Sequence, residues 1–232
     1  MTDFVRRIIE SNLNKILKVL GFRIHWITKR YVKKDDFYKL FKNYINYKCL
    51  KLHFGCGSRV LKGWINIDLW WYPLPDINPY PDALIGDKSD FYAIDITKLG
   101  LPLPNNSVDV IFHEDFLEHL NQRDQIIFLS ETLRVLKPKA IHRVNTPNLL
   151  VPMEAHSNFS KGKSGVFIEE WDEPRHVNIL TPLMLEELAK MIGYSKVIFN
   201  SRNNSTSKLI PLEYRPRPAK PEYRNIFADL IK

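Results

Sequence analysis

Two glycines and two carboxylates, each at the end of a short apolar run, are the residues of this sequence best placed to do chemistry. The run 49–54 leads directly into Gly55-Cys56-Gly57-Ser58, the run 64–67 ends on Asp68, and the run 91–94 ends on Asp95. A glycine directly after a strand lets backbone approach a ligand where a Cβ would collide. A carboxylate ending the next strand can accept hydrogen bonds from the two hydroxyls of a ribose. A carboxylate ending a third strand can accept from an exocyclic adenine amine. Gly-x-Gly alone is a weak signal, common to many strand-to-helix turns. Open α/β sheets bind ligands at the carboxyl ends of their strands, and three such features in succession predict a ligand carrying adenosine. Reading them as a glycine turn and two solvated acids leaves their coincidence unexplained.

Positioning those residues requires strands that alternate with helices. Strands are expected at 49–54, 64–67, 91–94, 108–112, 141–144, 197–199 and 208–212. A helix over 124–136 carries Ile126, Ile127, Leu129, Leu133 and Leu136 at helical spacing and is ended by Pro138. A second opens at Thr181-Pro182, a capping residue followed by a favoured first-turn proline, and closes at Gly193. The alternation predicts an α/β fold, a mostly parallel sheet with helices on both faces. The long stretch 150–178 is polar and carries Phe159, Phe167 and Trp171, which suits a lid or binding loop. Trp70, Trp71 and Tyr72 form a second aromatic cluster just past Asp68. The domain is expected to span 49–212, with a substrate loop at 150–180. A basic helical extension over 1–48 precedes it, and a basic proline-rich tail over 213–232 follows.

Composition narrows the classes. A chain of 232 residues can bury one substantial core without disulfide or metal staples. Its two cysteines, Cys49 and Cys56, have no CxxC partner, which favours a reducing, cytoplasmic setting. No run reaches the roughly 18 uninterrupted apolar residues of a membrane span. Residues 1–48 hold twelve Lys and Arg against four acids, a surplus of eight that equals the whole net charge of +8. A neutral remainder argues against a general nucleic-acid binder. The basic amphipathic leader fits either packing against the domain or docking at the inner face of a membrane.

The stretch 50–194 resembles the class I S-adenosylmethionine-dependent methyltransferases, especially small type 11-like ones. The resemblance rests on the order of several pieces: Leu52-His-Phe-Gly-Cys-Gly57, Gly63-Trp-Ile-Asn-Ile-Asp68, Leu101-Pro-Leu-Pro-Asn-Asn-Ser-Val-Asp109, Phe116-Leu-Glu-His-Leu120, Arg134-Val-Leu-Lys-Pro138, Thr146-Pro-Asn-Leu149 and Arg175-His-Val-Asn-Ile-Leu-Thr-Pro182. It implies a Rossmann-like methyltransferase fold whose last strand runs antiparallel. It also implies that Phe54, Gly55, Cys56 and Gly57 meet the methionine part of S-adenosylmethionine, Asp68 and Leu69 the ribose, and Asp95 and Ile96 the adenine, with His113 lining the pocket near the methyl. Two departures stand out. Only nine residues separate Phe54 from Trp64, too few for a usual helical crossover. Lys139-Ala140 also replaces the glycine pair that the family places after Lys-Pro.

Methyl transfer needs a nucleophile aligned with the methyl and, for some acceptors, a base. The candidates are His113, Glu114, His119 and His176, since histidine titrates near neutral pH. Asp115, Glu118 and His119 stand at i, i+3 and i+4, which on a helix makes one face able to hold a cation. The plainer expectation is that Glu118 and His119 order a helix start and that there is no metal. The function expected is methylation, at oxygen, of a small or glycan-linked acceptor. The alternative is a vestigial cofactor-binding domain acting as an RNA- or membrane-surface module. A nicotinamide dehydrogenase is disfavoured, because Ser58, Arg59 and Val60 follow Gly57 where a GxGxxG would continue.

Overall fold

The computed structural model describes residues 34–69, 86–151, 176–216 and 220–232. The expected leader helix, the cluster Trp70-Trp71-Tyr72 and nearly all of the loop 150–175 lie outside the described residues. Seven strands form one sheet: β1 Lys51–Phe54, β2 Ile65–Asp68, β3 Phe91–Ala93, β4 Val108–Glu114, β5 Leu136–Pro147, β6 Lys196–Phe199 and β7 Asn225–Ile231. Their order is β3-β2-β1-β4-β5-β7-β6. The first five are parallel, and β7 runs antiparallel to both neighbours. This is the Rossmann-like α/β architecture, a mostly parallel sheet whose last strand runs antiparallel, that the sequence implied. Strand order reverses beside β1, between β2 and β4, and that switch point is where such sheets open a binding crevice.

Among the described residues, the helices are α1 Lys34–Asn43, α2 Ile96–Leu99, α3 Gln122–Val135 and α4 Pro182–Ile192. Their ends follow the sequence signals. Asn121 caps α3 by accepting from the Asp124 amide at 2.9 Å. Thr181 caps α4 by accepting from Met184, and Gly193 ends it in the left-handed region at φ 119°. No helix lies between β1 and β2; turns fill 55–64, as the nine-residue spacing required.

Strand side chains alternate, so pairing register sorts them into two faces. Leu52, Phe54, Ile65, Ile67, Tyr92, Ile111 and Val144 share one face and form a single buried cluster with Leu40 of α1, Phe128 and Leu129 of α3, and Leu185 and Ala189 of α4. The other face has a small apolar patch, Val110, Phe112 and Ile141 under Leu61 and Trp64. Beside the buried Phe91, Ala93 and Phe227, it also buries five polar residues, His53, Asn66, Arg143, Asn145 and Asp229. Among the described residues, that face is covered by the turns of 55–64 and by the irregular chain 200–216.

Hydrogen bonding explains how a polar sheet face can be buried. Arg143, fully buried, donates from Nε and Nη2 to both oxygens of Glu213 at 2.9 and 2.7 Å. It also donates to Asp229 at 3.2 Å, to the Ser201 carbonyl at 2.8 Å, and to Asn200. Asp229 in turn accepts from the Thr206 amide at 2.6 Å and from Ser205 at 3.0 Å. Asn66 does comparable work at the other end of the sheet, holding Leu61 through both N–H and C=O and accepting at Oδ1 from His53 Nδ1 at 3.0 Å.

Two expectations are corrected. Residues 208–212 are not a strand; the antiparallel strand is Asn225–Ile231, inside the stretch expected to be a surface tail. Residues 200–216 instead cover the polar face, and Ser205, Thr206 and Glu213 are held there by Asp229 and Arg143. The domain also begins earlier than residue 49. Leu40 is fully buried in the core, and Asp36 accepts from the Ala93 amide at 2.9 Å. The Lys139 turn takes φ 67°, a left-handed conformation that costs a lysine more than a glycine.

Candidate active site

The turn after β1 uses its two glycines differently. Gly55 has φ +60°, and a Cβ there would lie 2.6 Å from the Phe116 ring, so its lack of a side chain serves close packing. Gly57 has φ +54°, and a Cβ there would meet nothing within 4 Å. Its backbone therefore borders open space. The Gly57 amide donates to Asp68 Oδ2 at 2.9 Å, and the Leu69 amide donates to Oδ1 at 2.6 Å. Two backbone donors thus fix the carboxylate between the ends of β1 and β2, beside the open glycine. That donor and acceptor set fits an adenosine-bearing ligand with its ribose at Asp68.

The other expected cofactor residues lie at or just past the ends of β1, β3 and β4. Phe54 is buried, its ring 6.3 Å from Phe116 and 5.0 Å from Phe128. Cys56 is buried, and burial pushes its thiol well above the ordinary range, so it packs as an apolar group. Asp95 caps α2: Oδ1 accepts from the Thr97 amide at 3.2 Å and hydroxyl at 2.7 Å, while Lys98 stands 3.1 Å from Oδ2. Ile96 is buried behind it.

The four proton-transfer candidates do not form one group. His113 lies on the helix-covered face, fully buried among Phe116, Phe128 and His142 with ring centroids 5.7, 5.6 and 5.1 Å away. Neither ring nitrogen has a hydrogen-bond partner among the described residues, and burial pulls its pKa down to about 3. Glu114 lies on the opposite face. Its Oε1 accepts from the Tyr214 and Arg215 amides at 2.6 and 2.9 Å, and Oε2 is paired with Arg59. Burial raises its pKa, which Arg59 and those amides oppose. Glu114 therefore anchors the covering segment rather than facing an acceptor.

His119 and His176 do come together, around Glu118. Their Nε2 atoms stand 3.9 and 3.8 Å from Glu118 Oε1, and the rings are 5.1 Å apart. The expected face of Asp115, Glu118 and His119 does not exist. Asp115 takes φ 47° and turns to Arg215 and Asn225, and Leu117–His119 is a 3-10 turn. The amides of Val177 and Asn178 instead donate to the Glu118 carbonyl at 2.8 and 3.2 Å. Gln125 reinforces the junction by donating to the Leu117 and Asn178 carbonyls.

Sequence reasoning missed Arg59. It pairs with Glu114, donates to the Leu212 carbonyl, and lies 4.7 Å from the Tyr214 ring. Two residues past Gly57, it ties the ligand-side turn to the covering segment. No local signal marks it, because its partners are 55 and 153 residues away.

A parallel sheet with this strand order, a glycine turn after β1 and an amide-held carboxylate ending β2 resemble a class I methyltransferase domain of the S-adenosylmethionine-dependent type. Comparison with known proteins agrees: the methyltransferase domain family matches residues 52–144. A probable S-adenosylmethionine-dependent methyltransferase of Mycolicibacterium smegmatis is 36% identical over 94 residues, 40% of this chain and 31% of that protein. The chain thus spans about a third of that relative's length. Among solved structures, a SAM-dependent methyltransferase from Archaeoglobus fulgidus has a TM-score of 0.49 at 16% identity, over 88% of this chain and 96% of that one. A 1,6-didemethyltoxoflavin-N1-methyltransferase from Burkholderia thailandensis has a TM-score of 0.48 at 13% identity, over 86% and 77%. No helix among the described residues is long and apolar enough to cross a membrane.

Proposed function

We propose that this chain transfers a methyl group from S-adenosylmethionine to a hydroxyl of a small or glycan-linked acceptor. The carrying observation is the Asp68 carboxylate, fixed by the Gly57 and Leu69 amides at the crevice beside β1. Asp68 accepts from the ribose hydroxyls, Gly57 lets backbone meet the methionine portion, and Ile96 contributes apolar surface near the base. When bound, the cofactor supplies an electrophilic methyl on a sulfonium. His119 and His176 stand at the end of the β4 loop that packs on Gly55 through Phe116. There an imidazole can accept the proton of an acceptor hydroxyl.

Calorimetric titration with S-adenosylmethionine and its demethylated product tests the reading. The intact protein is expected to bind both, and Asp68→Ala to weaken them by about 10- to 100-fold, the scale of lost hydrogen bonds to a charged group. No binding by the intact protein would overturn the proposal; binding indifferent to the substitution would overturn the ribose assignment. A methyl-transfer screen over hydroxylated acceptors, glycans included, then tests the acceptor class.

A further inference from the structure

The junction of Glu118, His119 and His176 has the composition and geometry of a metal centre. One carboxylate oxygen and two imidazole nitrogens lie within 4.8 Å of one another. At 3.8 and 3.9 Å, the two nitrogen-to-carboxylate separations exceed a direct hydrogen bond. A tetrahedral ion with bonds of ~2.0–2.1 Å would set its ligand atoms ~3.3 Å apart. Each imidazole must close on the carboxylate by ~0.5 Å, and the two imidazoles, whose ligand atoms lie within 4.8 Å of each other, by a larger side-chain adjustment.

The surroundings hold the ligands in place. The Thr146 hydroxyl donates to Glu118 Oε2 at 2.9 Å, which orients Oε1 toward the imidazoles. The Glu118 carboxylate is fully buried, while the His119 side chain is 34% exposed, so one side of the cluster is accessible. The backbone bonds from Val177 and Asn178 hold the two ligand-bearing segments together. Outer-shell bonds of this kind orient ligands in known metal sites.

We propose that Glu118, His119 and His176 bind a divalent first-row transition ion or zinc, leaving an open position for an acceptor oxygen. Two imidazoles and a carboxylate suit such ions. The site's presence is independent of methyl transfer; the acceptor's use of the open position rests on the proposed function. With the ion bound both imidazoles are ligands and no longer serve as the base; a hydroxyl at the open position acidifies and releases its proton to solvent water instead, which leaves the oxygen nucleophilic.

The test uses the full chain stripped with a chelator. Calorimetry with Zn2+ and visible absorption with Co2+ are expected to show one ion per chain. His119→Gln and His176→Gln should each weaken binding at least about tenfold, since each removes one ligand. These partly exposed histidines keep the test valid even if Glu118→Gln, which strands Thr146, fails to fold. Acetohydroxamate, an oxygen chelator, should change the Co2+ spectrum. An unchanged spectrum overturns the open position, and no ion binding at millimolar metal, or binding indifferent to both histidine variants, overturns the site. Titration with S-adenosylhomocysteine in parallel separates the two proposals. Cofactor binding without ion binding overturns this one alone; ion binding without cofactor binding overturns the methyltransferase reading and leaves the ion site standing.

Discussion

At the scale of single residues, the two glycines of the β1 turn predict opposite phenotypes. Gly55→Ala would set a methyl group against Phe116 in a left-handed conformation, and should cost ~2–4 kcal/mol from overpacking and backbone strain together. Gly57→Ala enters open space and should cost only ~1 kcal/mol from strain, while impairing cofactor affinity. Urea unfolding midpoints and cofactor titration of both variants check the contrast. Equal stability losses would refute it. Gly55, Gly57 and Asp68 were legible because a strand end and its turn are local features. Glu114 was not, because its partners are the amides 100 and 101 residues onward. His113 was misplaced for a different reason: one register step decides which sheet face a strand residue occupies.

At the scale of elements, the polar sheet face depends on Arg143. Arg143→Ala would leave Glu213 and Asp229 buried without their cation, and should destabilise by ~3–5 kcal/mol. Chemical denaturation measures this, and a loss below about 1 kcal/mol, the scale of an exposed pair, would show that the network is not buried as described. The parallel strands, α3 and α4 were readable from apolar spacing, caps and breakers. β7 was not, since Asn225–Ile231 follows a basic, proline-rich stretch and its apolar residues are seen as a strand only once β5 and β6 flank it. The same applies to the chain over 200–216. The polar residues 200–207 read only as a separator before an expected strand at 208–212 until Arg143 and Asp229 are placed beneath them.

At the scale of the whole molecule, buried histidines set the acid limit of stability. Burial lowers His113 to about 3 from 6.5; burial, with the Arg59 charge second, does the same to His53; burial takes His142 well below its ordinary value. Below pH 6.5 the unfolded chain takes up protons that the folded chain refuses, so stability falls as pH drops toward 3 and is unaffected by these groups above 6.5. Each histidine contributes a slope of about 1.4 kcal/mol per pH unit in that window. His113→Leu should flatten the slope by about that amount, measured by urea unfolding at several pH values; an unchanged slope would mean that His113 is protonated in the folded state. Residues 34–43 belong to the domain through Leu40 and Asp36, so removing residues 1–33 is expected to leave cofactor affinity intact. Comparing sedimentation of the two forms with anionic vesicles then tests whether the basic leader carries membrane contact.

The insertion of β7 between β5 and β6 has a consequence for synthesis. During translation β1 to β5 emerge in an order that lets each find a neighbour, but β6 leaves the ribosome with its eventual partner, β7, still unmade. Until β7 arrives, the exposed edge of β5 and the unpaired β6 are the surfaces on which a nascent chain can pair with another copy. The covering segment 200–216 is translated in that same interval, and Arg143 awaits both Glu213 and Asp229. Until residues 225–231 are in place, Arg143 lacks Asp229 and β6 lacks the strand it pairs with.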